Sequence, residues 1–322
     1  DSTMKAERAW LVLLLGCLCA GVSAQSLSPS VVGAWGTSAT GGGITLDQTI
    51  GEVAVRTEES GNIRLTQGFH QSAPIRVRLH VRAFLQGPYS GVTGLMADSL
   101  RRHGVLPLAE PYSAMGLPGG GEVTTAMVFA TGGADAIVDW VHLELRGSSD
   151  ATVLVQARNA LLQADGDIVD VDGLSPVAFA ALPGSYYIIL QHRNHLGVMG
   201  LDPLALTTAP ALLDLTSAST ANYGSAAQAS QDGMQALWTG DVNGDGIVKY
   251  TGAGNDRDVV LFAIGGSVPT ATVAGYAVTD VNLDGTTKYT GANNDRDPML
   301  QTIGGAVPTA VRQAQLPELS PP

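Results

Sequence analysis

Apolar and polar positions alternate through the middle of the chain. In 75-IRVRLHVRAFL-85, Ile75, Val77, Leu79, Val81 and Ala83 fall on one side and Arg76, Arg78, His80 and Arg82 on the other. A period of two marks a half-buried strand. Similar runs predict strands over 136–146, 151–163, 168–173, 176–182 and 185–194. Between two of them 165-DGD-167 reads as a hairpin turn, with Gly166 supplying the permissive backbone. A short helical turn is expected around Met96–Arg101, stopped by Gly104. Strands without intervening helical patterns predict a mainly β fold, with a β-sandwich over 75–207. Residues 25–74, with 50-IGEVAVRT-57 and 63-IRLTQGF-69, read as a short β-rich segment. The stretch 208–237, rich in Ala, Ser, Thr and Gln, lacks periodicity and reads as a linker with at most one edge strand.

One run does not alternate at all. Lys5 and Arg8 precede 9-AWLVLLLGCLCAGVSA-24, which ends in the small-residue pattern Val22-Ser23-Ala24. That combination predicts a leader and signal peptide over residues 1–24, the signal peptide running from Met4 to Ala24 and cleaved after Ala24. The alternative is lipid attachment at Cys17, because 14-LLGC-17 partly resembles a bacterial lipobox. Cys17 and Cys19 are the two cysteines, so the mature chain is expected to lack disulfides and thiolate metal sites. No other run approaches the roughly 18 apolar residues of a spanning helix. The expected location is therefore secreted or at the extracellular cell surface, with no transmembrane span.

The charge of −12 disfavours nucleic acid as a partner, since phosphate binding needs clustered Lys and Arg. Acidity alone signals only solubility. The spacing of the acidic groups suggests more. The stretch 241-DVNGDGIVKYTGAGNDRD-258 recurs 39 residues later as 280-DVNLDGTTKYTGANNDRD-297, with 14 of 18 positions identical. Matches continue at Ile264-Gly265-Gly266 with Ile303-Gly304-Gly305, and at Val268-Pro269-Thr270 with Val307-Pro308-Thr309. This is an internal duplication.

Each copy opens D-x-N-x-D-G, the start of an EF-hand calcium loop. Alternate residues place the side-chain oxygens of Asp241, Asn243 and Asp245, and of Asp280, Asn282 and Asp284, on one concave side. The sixth-position glycine permits the sharp turn, and the seventh residue, Ile247 or Thr286, offers its carbonyl. Oxygen ligands in this number suit Ca²⁺ rather than Zn²⁺. Position twelve, which normally supplies a bidentate carboxylate, is Gly252 or Gly291. Asp258 and Asp297 are the favoured closing ligands. In 259-VVLFAIGG-266, Val259, Phe262 and Ala263 have helical spacing, and Asp256 is placed as a helix cap.

A loop followed by one helix, duplicated near the C-terminal end of an exported chain, resembles dockerin modules. The resemblance covers about 241–305, within a module expected over 238–311 and followed by a tail, 312–322. It implies two bound Ca²⁺ ions, held by Asp241, Asn243, Asp245 and Asp258 and by Asp280, Asn282, Asp284 and Asp297. It also implies a paired-helix surface for a cohesin-like protein partner. The insertion 251-TGAGND-256 departs from the family pattern where partner-reading residues usually stand. The layout, including 65-LTQGFHQ-71, is similar to modular surface proteins of Gram-negative bacteria.

Other groups have two readings each. The aspartates of 165-DGDIVDVDG-173 suit a cation site or a polar hairpin face. His192 and His195 in 191-QHRNHLG-197 suit a metal or acid–base site or the end of a strand. Asp139 and Glu144 fit the paired carboxylates of a glycosidase or the outward face of a strand. Trp35, Trp140, Trp238 and Tyr186-Tyr187 suit sugar stacking or core packing. The expected function is non-catalytic: calcium-dependent adhesion or assembly at a cell surface. The alternative is a carbohydrate-active hydrolase or a polysaccharide-binding protein carrying the same module.

Overall fold

The computed structural model describes residues 33–41, 44–51, 56–60, 63–67 and 75–317. The leader with Cys17, the 68–71 part of the LTQGFHQ stretch and the Trp35 side chain lie outside the description. The chain divides into one unit ending at Ala73 and one beginning at Pro74. In the first, β1 (Gly33–Gly41) pairs with β2 (Ile44–Gly51), and β3 (Arg56–Ser60) with β4 (Ile63–Gln67), both antiparallel.

The second unit is mainly β. The 75–85 run forms β5 (Val77–Arg82) and β6 (Phe84–Leu85), which join different sheets. Val77, Leu79 and Val81 are buried, as their period of two requires. β7 (Tyr89–Ser90) and β8 (Leu95–Met96) form a small hairpin, and α1 (Ser99–Arg102) follows. The main sheet adds β9 (Ile137–Gly147), β10 (Leu154–Gln163), β11 (Asp167–Val169), β12 (Val177–Phe179) and β13 (Gly184–His192). It is completed by β14 (His195–Met199), β15 (Leu204–Leu206) and β16 (Ala211–Asp214). Its nine strands run β12-β5-β11-β10-β9-β13-β14, with β15 on β13 and β16 parallel to β5. A smaller sheet joins β17 (Gln228–Gln231) and β18 (Met234–Leu237) to β6.

Two expectations change here, and the strand-end reading of 191–197 becomes specific. The 208–237 stretch is not a linker, because β16 and the β17–β18 hairpin complete both sheets. Its small residues hid strands that pair through their backbones. β9 is not half-buried, since every residue from Ile137 to Arg146 is buried. Its polar members survive burial by pairing, His142, Glu144 and Arg146 with one another and Asp139 with Arg193, His192 and Tyr276. The 191–197 segment is a tight hairpin, with His192 opposite His195 and Arg193-Asn194 at the turn.

The duplicated segment belongs to the same unit. It contains β19 (Ile247–Lys249), α2 (Asp256–Ala263), β20 (Thr272–Ala274), β21 (Thr286–Lys288), α3 (Arg296–Thr302) and β22 (Val311–Gln313). The two copies interlock. β19 of the first loop pairs with β22, which follows the second helix, and β21 of the second loop pairs with β20, which follows the first. The crossing repeats at side-chain level: Thr251 Oγ1 donates to Pro308 O and Thr290 Oγ1 to Pro269 O, each at 2.9 Å. Each copy supplies the strand that completes the other, so one copy alone would leave a sheet edge unpaired. Val242, Val248, Val260, Val281, Met299 and Ile303 form their shared core with Leu196 of β14.

Gly87 lets this core come close to the sheets. A Cβ there would lie 2.0 Å from the Val281 carbonyl oxygen. Gly87→Ala should therefore destabilise the chain by about 1–3 kcal/mol, as overpacking does. Urea denaturation measures this, and a loss below about 0.5 kcal/mol would show that the approach is not tight.

Candidate functional site

The helices of the duplicated segment set the loop geometry. Asn255 Oδ1 accepts the Asp258 N–H at 2.9 Å, and Asn294 Oδ1 accepts the Asp297 N–H at 2.9 Å. In the first copy the cap is Asn255, one residue before the expected Asp256, and in the second copy the helix begins at Arg296. The inward face is then Asp256, Val260 and Ile264, one turn apart, repeated as Asp295, Met299 and Ile303. The expected face of Val259, Phe262 and Ala263 is not the buried one, and Phe262 is 81% exposed.

This phase turns Asp256 and Asp295 into the loops at 0% exposure. Asp256 Oδ1 accepts the N–H of Val242 at 3.0 Å, and its Oδ2 accepts that of Lys249 at 2.8 Å. Asp295 repeats the pattern with Val281 at 2.8 Å and Lys288 at 2.7 Å. Each carboxylate thus ties the start of its loop to the short strand that ends it. Asp258 and Asp297, the expected closing ligands, point outward instead. They pair with their neighbours Arg257 and Arg296 at 2.9 and 3.0 Å.

The remaining expected oxygens stand together at each loop mouth. Asp241 accepts the N–H groups of Gly244 and Gly246, and Asp280 accepts those of Asp284 and Gly285. Asn243 Oδ1 accepts from the Asp245 N–H, and Asp245 Oδ1 from that of Ile247. Asn282 and Asp284 make the matching bonds to Asp284 N–H and Thr286 N–H. These bonds wind each loop around its side-chain oxygens, and carboxylate oxygens keep further acceptor capacity. Among the described residues no three carboxylate, imidazole or thiol groups converge to a metal shell.

Burial pushes the Asp241 and Asp280 carboxyls up to about 6, and those of Asp256 and Asp295 up to about 7. A neighbouring aspartate adds to each rise, and backbone N–H donors oppose it. Arg193 also opposes the rise at Asp280. Among the described residues no Lys, Arg or His forms an ion pair with any of the four.

The hairpin turn at Arg193-Asn194 fastens the second loop to the main sheet. Asn194 Nδ2 donates to the carbonyls of Val278 at 2.9 Å and Asp280 at 2.7 Å. Arg193 donates Nη1 to Ala277 O and Nε to Asp139 Oδ2. Asp139 also accepts from Tyr276 Oη at 2.7 Å and faces His192 Nε2 at 3.1 Å. Burial alone would raise its pKa, but the Arg193 charge, with His192 and Tyr276, brings it down to about 2. The ring nitrogens fit one chain of donors. His192 Nε2–H points to Asp139, His195 Nδ1–H serves His192 Nδ1 at 3.0 Å and Asn194 Oδ1 at 2.8 Å, and His195 Nε2 accepts from Gly87 N–H. Both imidazoles are held below their usual pKa, chiefly by burial.

Asp139 and Glu144 do not form a catalytic pair. Five residues apart in β9, they point to opposite faces, and both are buried and ion-paired, Glu144 with Arg146 and His142. The 165–173 aspartates are used locally: Asp167 pairs with Arg82, Asp170 with Arg158, and Asp172 closes a turn onto Ser175. Trp140 is core, and Arg312 covers the Trp238 ring at 3.9 Å. The network around Asp139 had only a weak signal in sequence, the polar cluster at 191–195.

Comparison with protein-family models, curated proteins and solved structures returns no match.

A group whose folded pKa is depressed contributes stability above its unfolded pKa and loses it as pH falls. For His192 and His195 the unfolded value is about 6.5. Their contribution is therefore complete above about pH 6.5 and falls as pH drops below it. The loop aspartates, with raised values, act in the opposite direction. Comparing the chain with His195→Gln removes their contribution. Urea stability of the parent should fall more steeply between pH 6.5 and 5 than that of the variant, by roughly 1 kcal/mol per pH unit. Equal slopes would show that His195 is not buried in its neutral form.

Proposed function

We propose that the duplicated loops bind two Ca²⁺ ions and that the chain is a non-catalytic, exported protein. In this reading a sandwich-type β-domain is joined to a dockerin-like calcium module that acts in adhesion or assembly at a cell surface. The observation that carries the calcium reading is the placement of four carboxylates, Asp241, Asp256, Asp280 and Asp295, out of water with no cationic side chain among the described residues ion-paired to them. Uncompensated buried charge is strongly unfavourable, and a bound cation removes the penalty. The donor set suits a hard cation: Asp241, Asn243, Asp245 and Asp256 in one loop, Asp280, Asn282, Asp284 and Asp295 in the other, with the Ile247 and Thr286 carbonyls at the seventh positions. The closing ligands in this proposal are Asp256 and Asp295, not Asp258 and Asp297.

The non-catalytic reading is supported by the burial and pairing of Asp139 and Glu144, which removes the carboxylate pair on which the hydrolase alternative rested. An assembly role is supported by the outward Phe262 on α2, an exposed apolar group on the helix surface that the dockerin resemblance associates with partners. Among the described residues no helix is long and apolar enough to cross a membrane.

Calorimetric titration of the full chain should show two Ca²⁺ per molecule, and EGTA should lower the unfolding midpoint. Asp245→Ala should weaken the first site at least tenfold, the scale on which lost coordination support acts. No calcium heat and no EGTA effect would overturn the reading.

A further inference from the structure

The two loops share a sequence pattern but not a setting. In the first, the tip residues Asn243, Gly244 and Asp245 are exposed. Beside this loop is a cleft of about 420 Å³, where Asp241 and Asn243 face Tyr112 and Gln191 of the β-domain. In the second, the residue matching Gly244 is Leu283. It is 0% exposed and packed into the main hydrophobic core. It does so in a left-handed backbone conformation, with φ +57°.

That conformation is unfavourable for a non-glycine residue, and burial of the leucine side chain in the core offsets it. The core therefore holds the second loop in its turn independently of any cation. Polar contacts act in the same direction. Asn194 Nδ2 holds the Val278 and Asp280 carbonyls, and Thr239 Oγ1 donates to Val281 O at 2.9 Å. These contacts fix the backbone on both sides of Asp280. The first loop is also held before Asp241, where Gly240 N–H donates to Asn194 O at 2.9 Å and Thr302 Oγ1 to Thr239 O at 2.8 Å, but its tip is exposed where Leu283 of the second is buried.

We infer that Asn194, Thr239 and Leu283 are positioning residues that pre-organise the second loop as the tighter of two unequal calcium sites, leaving the first loop as a weaker, exchangeable site open to the cleft. The inference rests on the calcium reading. A loop already held in its bound shape loses less conformational freedom on binding, so its affinity is higher. Linkage makes the effect reciprocal. If docking on the main sheet tightens calcium at the second loop, calcium there stabilises the docked sheet by the same factor. Occupancy of the first loop, whose tip is free of the core, should leave the sheet nearly unchanged.

The experiment is calcium titration of the full chain by calorimetry, with amide hydrogen exchange followed in β9 and β13. Asp256→Ala and Asp295→Ala assign the two sites. The expected result is two affinities at least tenfold apart, with Asp295→Ala removing the tighter one. Asn194→Ala should weaken the tighter site about tenfold and leave the weaker one unchanged. Thr239→Val, a near-isosteric change, should act in the same direction with a smaller effect and covers the case in which Asn194→Ala does not fold. Calcium should slow exchange in β9 in the parent and in Asp256→Ala, but not in Asp295→Ala. Two equal sites, or equal weakening of both by Thr239→Val, would overturn this inference while leaving calcium binding intact. Absence of calcium binding would overturn both.

Discussion

Removing Asp256 and Asp295 from water is the constraint around which the duplicated C-terminal segment is arranged. A carboxylate at 0% exposure needs donors, a cation or both. The backbone supplies donors from the two ends of each loop, through Val242 and Lys249 in one copy and Val281 and Lys288 in the other. To reach those donors each aspartate must lie on the inward face of its helix. That phase places Val260 and Met299 in the shared core and turns Asp258 and Asp297 outward to their arginines. One electrostatic requirement thus fixes the helix start, the helix face and the loop closure together.

Duplication follows from the strand pairing as well as from the loops. A three-residue strand such as β19 is not stable alone, and its partner β22 comes from the far end of the other copy. Within each half an arginine also covers a tyrosine ring, Arg257 on Tyr250 and Arg296 on Tyr289, each at 5.2 Å. The second half is further bound to the main sheet through the 193–195 turn and Leu283. The β-domain and the duplicated loops therefore form one unit with a buried polar seam, where Asp139 and Arg193 neutralise each other.

Much of the framework was legible in sequence because it depends on periodicity. The alternation in 75–85 located β5, and the 39-residue repeat located the loops and helices. Other features depend on long-range contacts that no local pattern encodes. β16 to β18 pair through backbone groups, so a low-complexity stretch resembled a linker. β9 is buried on both faces because His142, Glu144 and Arg146 satisfy one another, so alternation misread its exposure. Asp256 and Asp258 differ only in helix phase, and that phase was set by a cap at Asn255 whose hydrogen bond sequence spacing did not reveal. Leu283 in place of Gly244 was a visible signal: a bulky residue at a turn position that favours glycine marks something the fold must hold.

The most direct test is a crystal structure grown from calcium-containing solution, with anomalous scattering to place the metal. Two metal peaks should appear, one per loop. Each should lie about 2.3–2.6 Å from oxygens of its D-x-N-x-D segment and from Asp256 in the first loop or Asp295 in the second. Loops without metal, or ions coordinated by Asp258 and Asp297 while Asp256 and Asp295 remain apart from them, would contradict the account.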